Sequence, residues 1–251
     1  MGERNNSSGS APAKTGYSKA LGLDRVFGIR LESLMKSWEG AKRLFDYKNT
    51  EGTLKGLLPE ADRRLAYALF IAGGALMFVF CLLTTLESVY VTNLASDAII
   101  ETSGMIPPKI DDSVIPLIAV SQFLLFVPIG LLYNLAFESL GFRIANALGG
   151  RGSFDAQLYV SSVIWLSASI SFVSILLLPL YCFGILALAW FLLISGAYLL
   201  VYLNARSYSI VHGMPFIRAL AVVILISIPK LLLWIFTGDF LSLILRINIG
   251  A

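Results

Sequence analysis

LAYALFIAGGALMFVFCLLTTL, Leu65 to Leu86, contains no charged residue. Wound as a helix at 1.5 Å per residue, a run of this length is about 33 Å long, which matches the hydrocarbon thickness of a bilayer. It is the first such run in the chain, and nearly everything after it has the same character, whereas residues 1–64 are polar. The 251 residues are 57% hydrophobic and 14% charged, with a mean hydropathy of +0.79. Soluble domains carry about 25% charged residues, so the apolar excess points to a membrane as solvent rather than to one buried core.

Four further stretches have the same length and polarity: about Val114–Phe137, Ala156–Leu178, Tyr181–Leu203 and Phe216–Phe236. Pro179 and Leu180 separate the third from the fourth, which makes those two a tight hairpin. The expected fold is an all-α integral membrane bundle of five transmembrane helices, residues 65–236, with a short C-terminal segment at 237–251. The first apolar run begins too far into the chain for a signal peptide, so the first span is expected to act as its own insertion signal.

Sixteen of the 19 Lys and Arg fall on one side of these spans, twelve of them before the first. The loop between the first two spans holds only Lys109, among Asp97, Glu101, Asp111 and Asp112. The positive-inside rule then places the N-terminus in the cytoplasm. That loop, about Glu87–Ser113, contains Pro107-Pro108 and is longer than a connector needs. It is either a solvated cap or a functional element.

Residues 1–23 are rich in Ser, Gly and Asn and are expected to be a disordered cytoplasmic tail. From Asp24, a plausible N-cap, residues 24–64 carry a basic amphipathic pattern. Val26, Phe27, Leu31, Leu34, Trp38, Ala41, Leu44 and Phe45 recur at three- and four-residue steps, with Arg30, Lys36, Lys42 and Arg43 between them. Such a helix either lies in the headgroup layer, where it favours anionic lipids, or packs on the ends of the spans.

The stretch Gly149-Gly150-Arg151-Gly152 lacks the spacing, the lysine and the preceding strand of a phosphate-binding loop. It fits a cytoplasmic turn instead. Its glycines permit positive φ, and Ser153 and Asp155 serve the start of the third span. Cys81 and Cys182 lie in apolar runs and make neither a disulfide framework nor a metal site. His212 is alone in NARSYSIVHGMP, a short loop, where it is expected as a loop or interface residue. Ser161, Ser162, Ser167, Ser169, Ser171 and Ser174 of the third span serve helix packing, as do Gly73, Gly74 and Gly196. Two ionisable side chains lie within or at the ends of spans. Lys230 follows Pro229 and is expected to snorkel outward, while Glu138, beside Asn134, ends the second span and reaches cytoplasmic water. Neither enzymatic chemistry nor a cofactor is indicated, and nucleic acid is not an expected partner.

ALGGRGSF opens the third span, Trp190 lies in the fourth within LAWFLLISGAYLLVYLNA, and HGMPFIRAL opens the fifth. This order resembles the Yip membrane-domain family, the Ypt/Rab-interacting proteins and their prokaryotic relatives. There a G-G-K/R-G-S/T-F/Y step, a Trp and an H-G-x-x-x-x-K/R-A-L-like step occupy the same places. The resemblance covers about Leu65–Ile228. It implies five spans, a cytoplasmic N-terminus and no catalytic residues. The D-L-x-G-P and M-L-G-Y elements of eukaryotic members are missing, so the chain is more similar to the prokaryotic members, and the absence of paired cysteines fits a prokaryotic plasma membrane. The function expected is a membrane scaffold or adaptor that contacts protein or lipid at its cytoplasmic face, where the N-terminal helix, the turn Gly149, Gly150, Arg151 and Gly152, and the turn at His212 and Gly213 lie together. The alternative is a small transporter or channel subunit with a polar path near Lys230 and Asn134.

Overall fold

The computed structural model describes residues 25–26, 29–44, 46, 48–103, 114–176 and 197–249. A short antiparallel pair, β1 (Arg25–Val26) with β2 (Ile29–Arg30), leads into α1 (Leu31–Arg43) and α2 (Thr50–Leu57). After a 3₁₀ turn at Leu58–Glu60 come α3 (Arg63–Ser103) and α4 (Val114–Leu124). A π-helical turn, Leu125–Ile129, carries α4 without a break into α5 (Gly130–Ala147). Then follow α6 (Phe154–Leu176), a π-helical stretch at Ala197–Leu203, α7 (Asn204–His212) and α8 (Phe216–Ile249).

Among the described residues, four helical segments are long and apolar enough to cross a membrane: Arg63–Val91, Ile115–Ala147, Phe154–Val173 and Phe216–Leu233. They are the mark of a multi-pass membrane protein. Most of the expected span Tyr181–Leu203 lies outside the described residues, with Trp190, Cys182, Gly196 and the hairpin at Pro179. The expected tail 1–23, Asp24 and Pro107-Pro108 lie outside them too.

The four segments differ in role. Two thirds of the α6 window is buried (67%), against 22% for α3 and α8 and 6% for α4–α5. So α6 is the core, and the others present apolar faces outward. Its sequence explains why: Ser161, Ser162, Ser167, Ala168 and Ser169 are small and buried, which lets neighbours approach, while Leu158, Val163, Ile164 and Leu166 fill the spaces between. A Cβ on Gly73 would meet the Trp165 ring at 2.6 Å, and one on Gly74 would strike the Phe126 carbonyl. Both glycines are there because α3 lies directly on α6 and on the π turn. Ser167 Oγ donates to Ala41 O of α1 at 2.9 Å, whereas Ser162, Ser169 and Ser171 bond within their own helix.

Three local expectations are corrected. The N-terminal helix starts at Leu31 rather than Asp24, because Arg25–Val26 pairs with Ile29–Arg30. Much of the expected outer loop is helix, since α3 continues to Ser103. The expected loop NARSYSIVHGMP is helix α7 as far as His212.

α1 packs along α6 through its small residues. Ser37, Gly40, Ala41 and Leu44 are buried, and Ser37 Oγ lies 2.9 Å from the Tyr159 hydroxyl. The two hydrogen-bonded contacts of α1 on α6, at Tyr159 and Ser167, stand about 12 Å apart along the helix at 1.5 Å per residue. α2 folds back on α1, and Gly40 leaves the space that Leu57 takes. Lys36 Nζ and Ser33 Oγ both reach Glu60, at 2.9 and 3.4 Å, which closes the base of this α1–α2 hairpin. Leu31, Met35 and Trp38 of α1 stay exposed.

Candidate functional site

The two glycine turns meet. α5 ends in a Schellman arrangement: Gly149 takes φ +91°, its N–H donates to Asn146 O at 3.0 Å, and Gly150 N–H donates to Ala145 O at 2.9 Å. α7 ends the same way at Gly213, with φ +62° and Met214 N–H on Ser209 O at 3.1 Å. Positive φ is open to all three glycines of the first turn, but only Gly149 uses it. Gly150 and Gly152 supply room instead. A Cβ on Gly150 would sit 2.7 Å from Met214 Cε, and one on Gly152 would sit 2.5 Å from the Val211 carbonyl oxygen.

His212 joins the turns. Its carbonyl accepts from Arg151 N–H at 3.1 Å and its Nδ1 from Gly152 N–H at 3.3 Å. With Nδ1 accepting, Nε2 carries the proton and donates to Gln157 Oε1 at 2.7 Å. This residue, expected at a loop or interface, is 2% exposed. Burial pushes its pKa below the ordinary histidine value, so the neutral ring is the form that fits.

Gln157 passes the connection inward. Its Nε2 donates to Glu138 Oε2 at 2.7 Å and to the Tyr208 hydroxyl at 2.6 Å, and lies 3.0 Å from the Glu138 carbonyl. Tyr208 in turn donates to Glu138 Oε2 at 3.0 Å. Burial, and then the Glu138 carboxylate beside it, hold the Tyr208 hydroxyl well above its usual pKa, so it stays a donor. Glu138 therefore does not reach water as expected; it is buried and hydrogen-bonded on α5. Gly141, one turn on, leaves the space that the Tyr208 hydroxyl occupies.

The expectation for Lys230 is corrected as well. Its ammonium donates to Asn134 Oδ1 at 2.7 Å rather than snorkelling outward, and Glu138 acts on it electrostatically. Asn134 Nδ2 donates to Gly130 O at 2.9 Å, next to the π turn that contains Pro128. On the facing helix, Pro229 precedes the lysine within α8. Arg151 and Arg218 are exposed at the turns, and Arg218 Nη1 donates to Leu148 O at 3.3 Å.

One connected set thus runs from the turns, through His212, Gln157, Tyr208 and Glu138, to the region of Lys230 and Asn134. Sequence reasoning sets Lys230 and Asn134 near one polar path in its alternative reading and singles out His212 and Glu138 without joining them, and it misses Gln157 and Tyr208. Gln157 had a signal: an amide in an apolar span needs a partner, and Glu138 and His212 were available. Tyr208 had none, because a tyrosine in a polar stretch is ordinary by itself. Among the described residues no group of three or more His, Cys, Asp or Glu is placed to hold a metal ion. The chain matches no protein-family model, no curated protein and no solved structure.

Proposed function

We propose that the chain is a non-enzymatic multi-pass membrane scaffold or adaptor of the Yip type. It has five spans and a cytoplasmic N-terminus, belongs to a prokaryotic plasma membrane, and works through protein or lipid contacts at its cytoplasmic face. The observation that carries this reading is the union of the two motif turns. GGRGSF and HGMPFIRAL are some sixty residues apart in sequence, yet His212 binds one to the other through Arg151 and Gly152. A pair of motifs that makes one braced surface, with Arg151 exposed on it, suits a contact role better than a passage. The test is cross-linking and affinity purification of the full chain from native membranes. A partner recovered at near-equal stoichiometry, and lost on Arg151→Glu, supports the scaffold. Recovery of neither a protein partner nor a co-purifying lipid refutes it.

A small transporter or channel subunit is the second reading. The contact of Lys230 with Asn134 inside the span region favours it, because ionisable residues there mark ion and substrate paths. Solute flux in liposomes that disappears with Asn134→Leu would establish it.

A further inference from the structure

A cleft of about 270 Å³ lies between the α1–α2 hairpin and the span helices. Leu69 and Ala72 of α3 and Leu166 of α6 form its floor, Leu34, Met35 and Trp38 of α1 its wall, and Glu39 stands at its rim. Ala72 leaves the floor low, because only a methyl group stands there, between Leu69 and Leu76 on α3. Met35 is 63% exposed and Trp38 39%, which is unusual on a helix whose other outer positions are Glu32, Lys36, Glu39, Lys42 and Arg43. The cleft borders the membrane-crossing part of α3, beside exposed Ile71, so the bilayer itself supplies what can enter it.

The charges at the mouth say which amphiphile fits. The hairpin is not a free cationic surface. Lys36 is paired with Glu32 and Glu60, Lys55 with Glu51, and Lys42 with Glu39 at 2.9 Å. Lys42 Nζ also lies 5.9 Å from the centre of the Trp38 ring. The rim therefore offers the Glu39 carboxylate with the exposed Lys42 ammonium paired to it, one anion and one cation that a zwitterion can engage at once. An anionic headgroup would meet Lys42 but be repelled by Glu39. A headgroup with both a phosphate and an ammonium satisfies both.

We infer that this cleft is a binding site for a zwitterionic aminophospholipid: an acyl chain against Ala72, Leu69 and Trp38, the phosphate at Lys42, and the headgroup ammonium at Glu39. The site depends on the chain's place in a bilayer and not on any protein partner, so its failure leaves the scaffold reading where it stood.

The test is native mass spectrometry of the full-length chain in detergent, titrated with phosphatidylethanolamine or with phosphatidylglycerol, with the melting temperature followed for each variant. One phosphatidylethanolamine should bind saturably, about three- to fivefold tighter than phosphatidylglycerol, as exposed charge pairs allow. Glu39→Gln, a change at an exposed carboxylate, should abolish that preference and leave the fold intact. Ala72→Phe should weaken phosphatidylethanolamine about tenfold, the effect of displacing roughly two methylenes from the slot. Unsaturable binding that reflects annular lipid only, equal binding of the two lipids, or full binding by a folded Ala72→Phe chain would overturn the inference.

Discussion

Replacing Gln157 with leucine is the sharpest probe of the buried set. The two side chains have similar volume, so little cavity is made and the change is one of polarity. His212 Nε2–H loses its acceptor at 2.7 Å, and Glu138 Oε2 loses its shorter donor, keeping only Tyr208 at 3.0 Å. A buried polar group left without its partner costs about 1–3 kcal/mol, with more for a charged one. Two such losses, partly offset by leucine's apolar surface, come to about 3 kcal/mol, or roughly two orders of magnitude in the folding constant. Ser171→Ala is the control. That hydroxyl is only part-buried and bonds back to Ser167 O of its own helix at 3.0 Å, so about 0.5 kcal/mol is expected. The assay is unfolding in mixed micelles of increasing sodium dodecyl sulfate content, followed by far-ultraviolet circular dichroism. If Gln157→Leu costs no more than the control, the set does not brace the helices and the reasoning fails. Gln157→Glu should be worse at neutral pH, because it faces one carboxylate with another, and should recover as the medium is acidified.

Lys230→Leu removes the donor to Asn134, so a loss of about 1–3 kcal/mol is expected in the same unfolding assay, with Lys230→Arg milder. Gly152→Ala should cost at least about 2 kcal/mol, since the new methyl meets Val211 backbone that cannot yield without parting the two turns; wild-type melting behaviour would contradict this. Acidification should destabilise the protein through His212. Its folded pKa lies below the ordinary value of about 6.5. The unfolded chain therefore takes up the proton first as pH falls. The contribution of the neutral ring is complete above about pH 6.5, declines as pH drops from there through the folded value, and levels off below it, at no more than about 1.4 kcal/mol per pH unit. The His212→Gln variant should lose that part of the slope, and identical slopes in the two proteins would refute the assignment.

Membrane residence was legible in the sequence because it follows from run length and polarity, which need no partner. Leu65–Leu86, Val114–Phe137, Ala156–Leu178 and Phe216–Phe236 each fall within or closely overlap a helical segment capable of crossing a membrane. Boundaries were less legible. The polar stretch before His212 carries no apolar run, yet it is helical because Ala205 and Tyr208 are buried against α8 residues such as Ala219 and Val222. The expected helix from Asp24 met the opposite outcome: local pairing of Arg25–Val26 with Ile29–Arg30 displaced its periodicity.

Pairings were the illegible part. Lys230 by itself supports snorkelling, since a long aliphatic stem near a helix end can reach water. Only the packing of α8 beside α5 places Asn134 at 2.7 Å and makes an internal hydrogen bond the better choice. Likewise Gly150 and Gly152 signalled a turn, but the reason for them, the close approach of Met214 and Val211, belongs to a segment about sixty residues away.

The sequence by itself determined the solvent in which this protein lives, the apolar runs that enter it and the glycines that end its helices, because hydrophobicity and backbone freedom are properties of single residues and short windows. The tertiary structure alone decided that α6 is the core, that α1 lies along it, and that His212, Gln157, Tyr208 and Glu138 form one buried set. Those depend on which helix faces which, and a hydrogen bond between residues 138 and 208 exists only once packing has brought their two side chains within 3.0 Å.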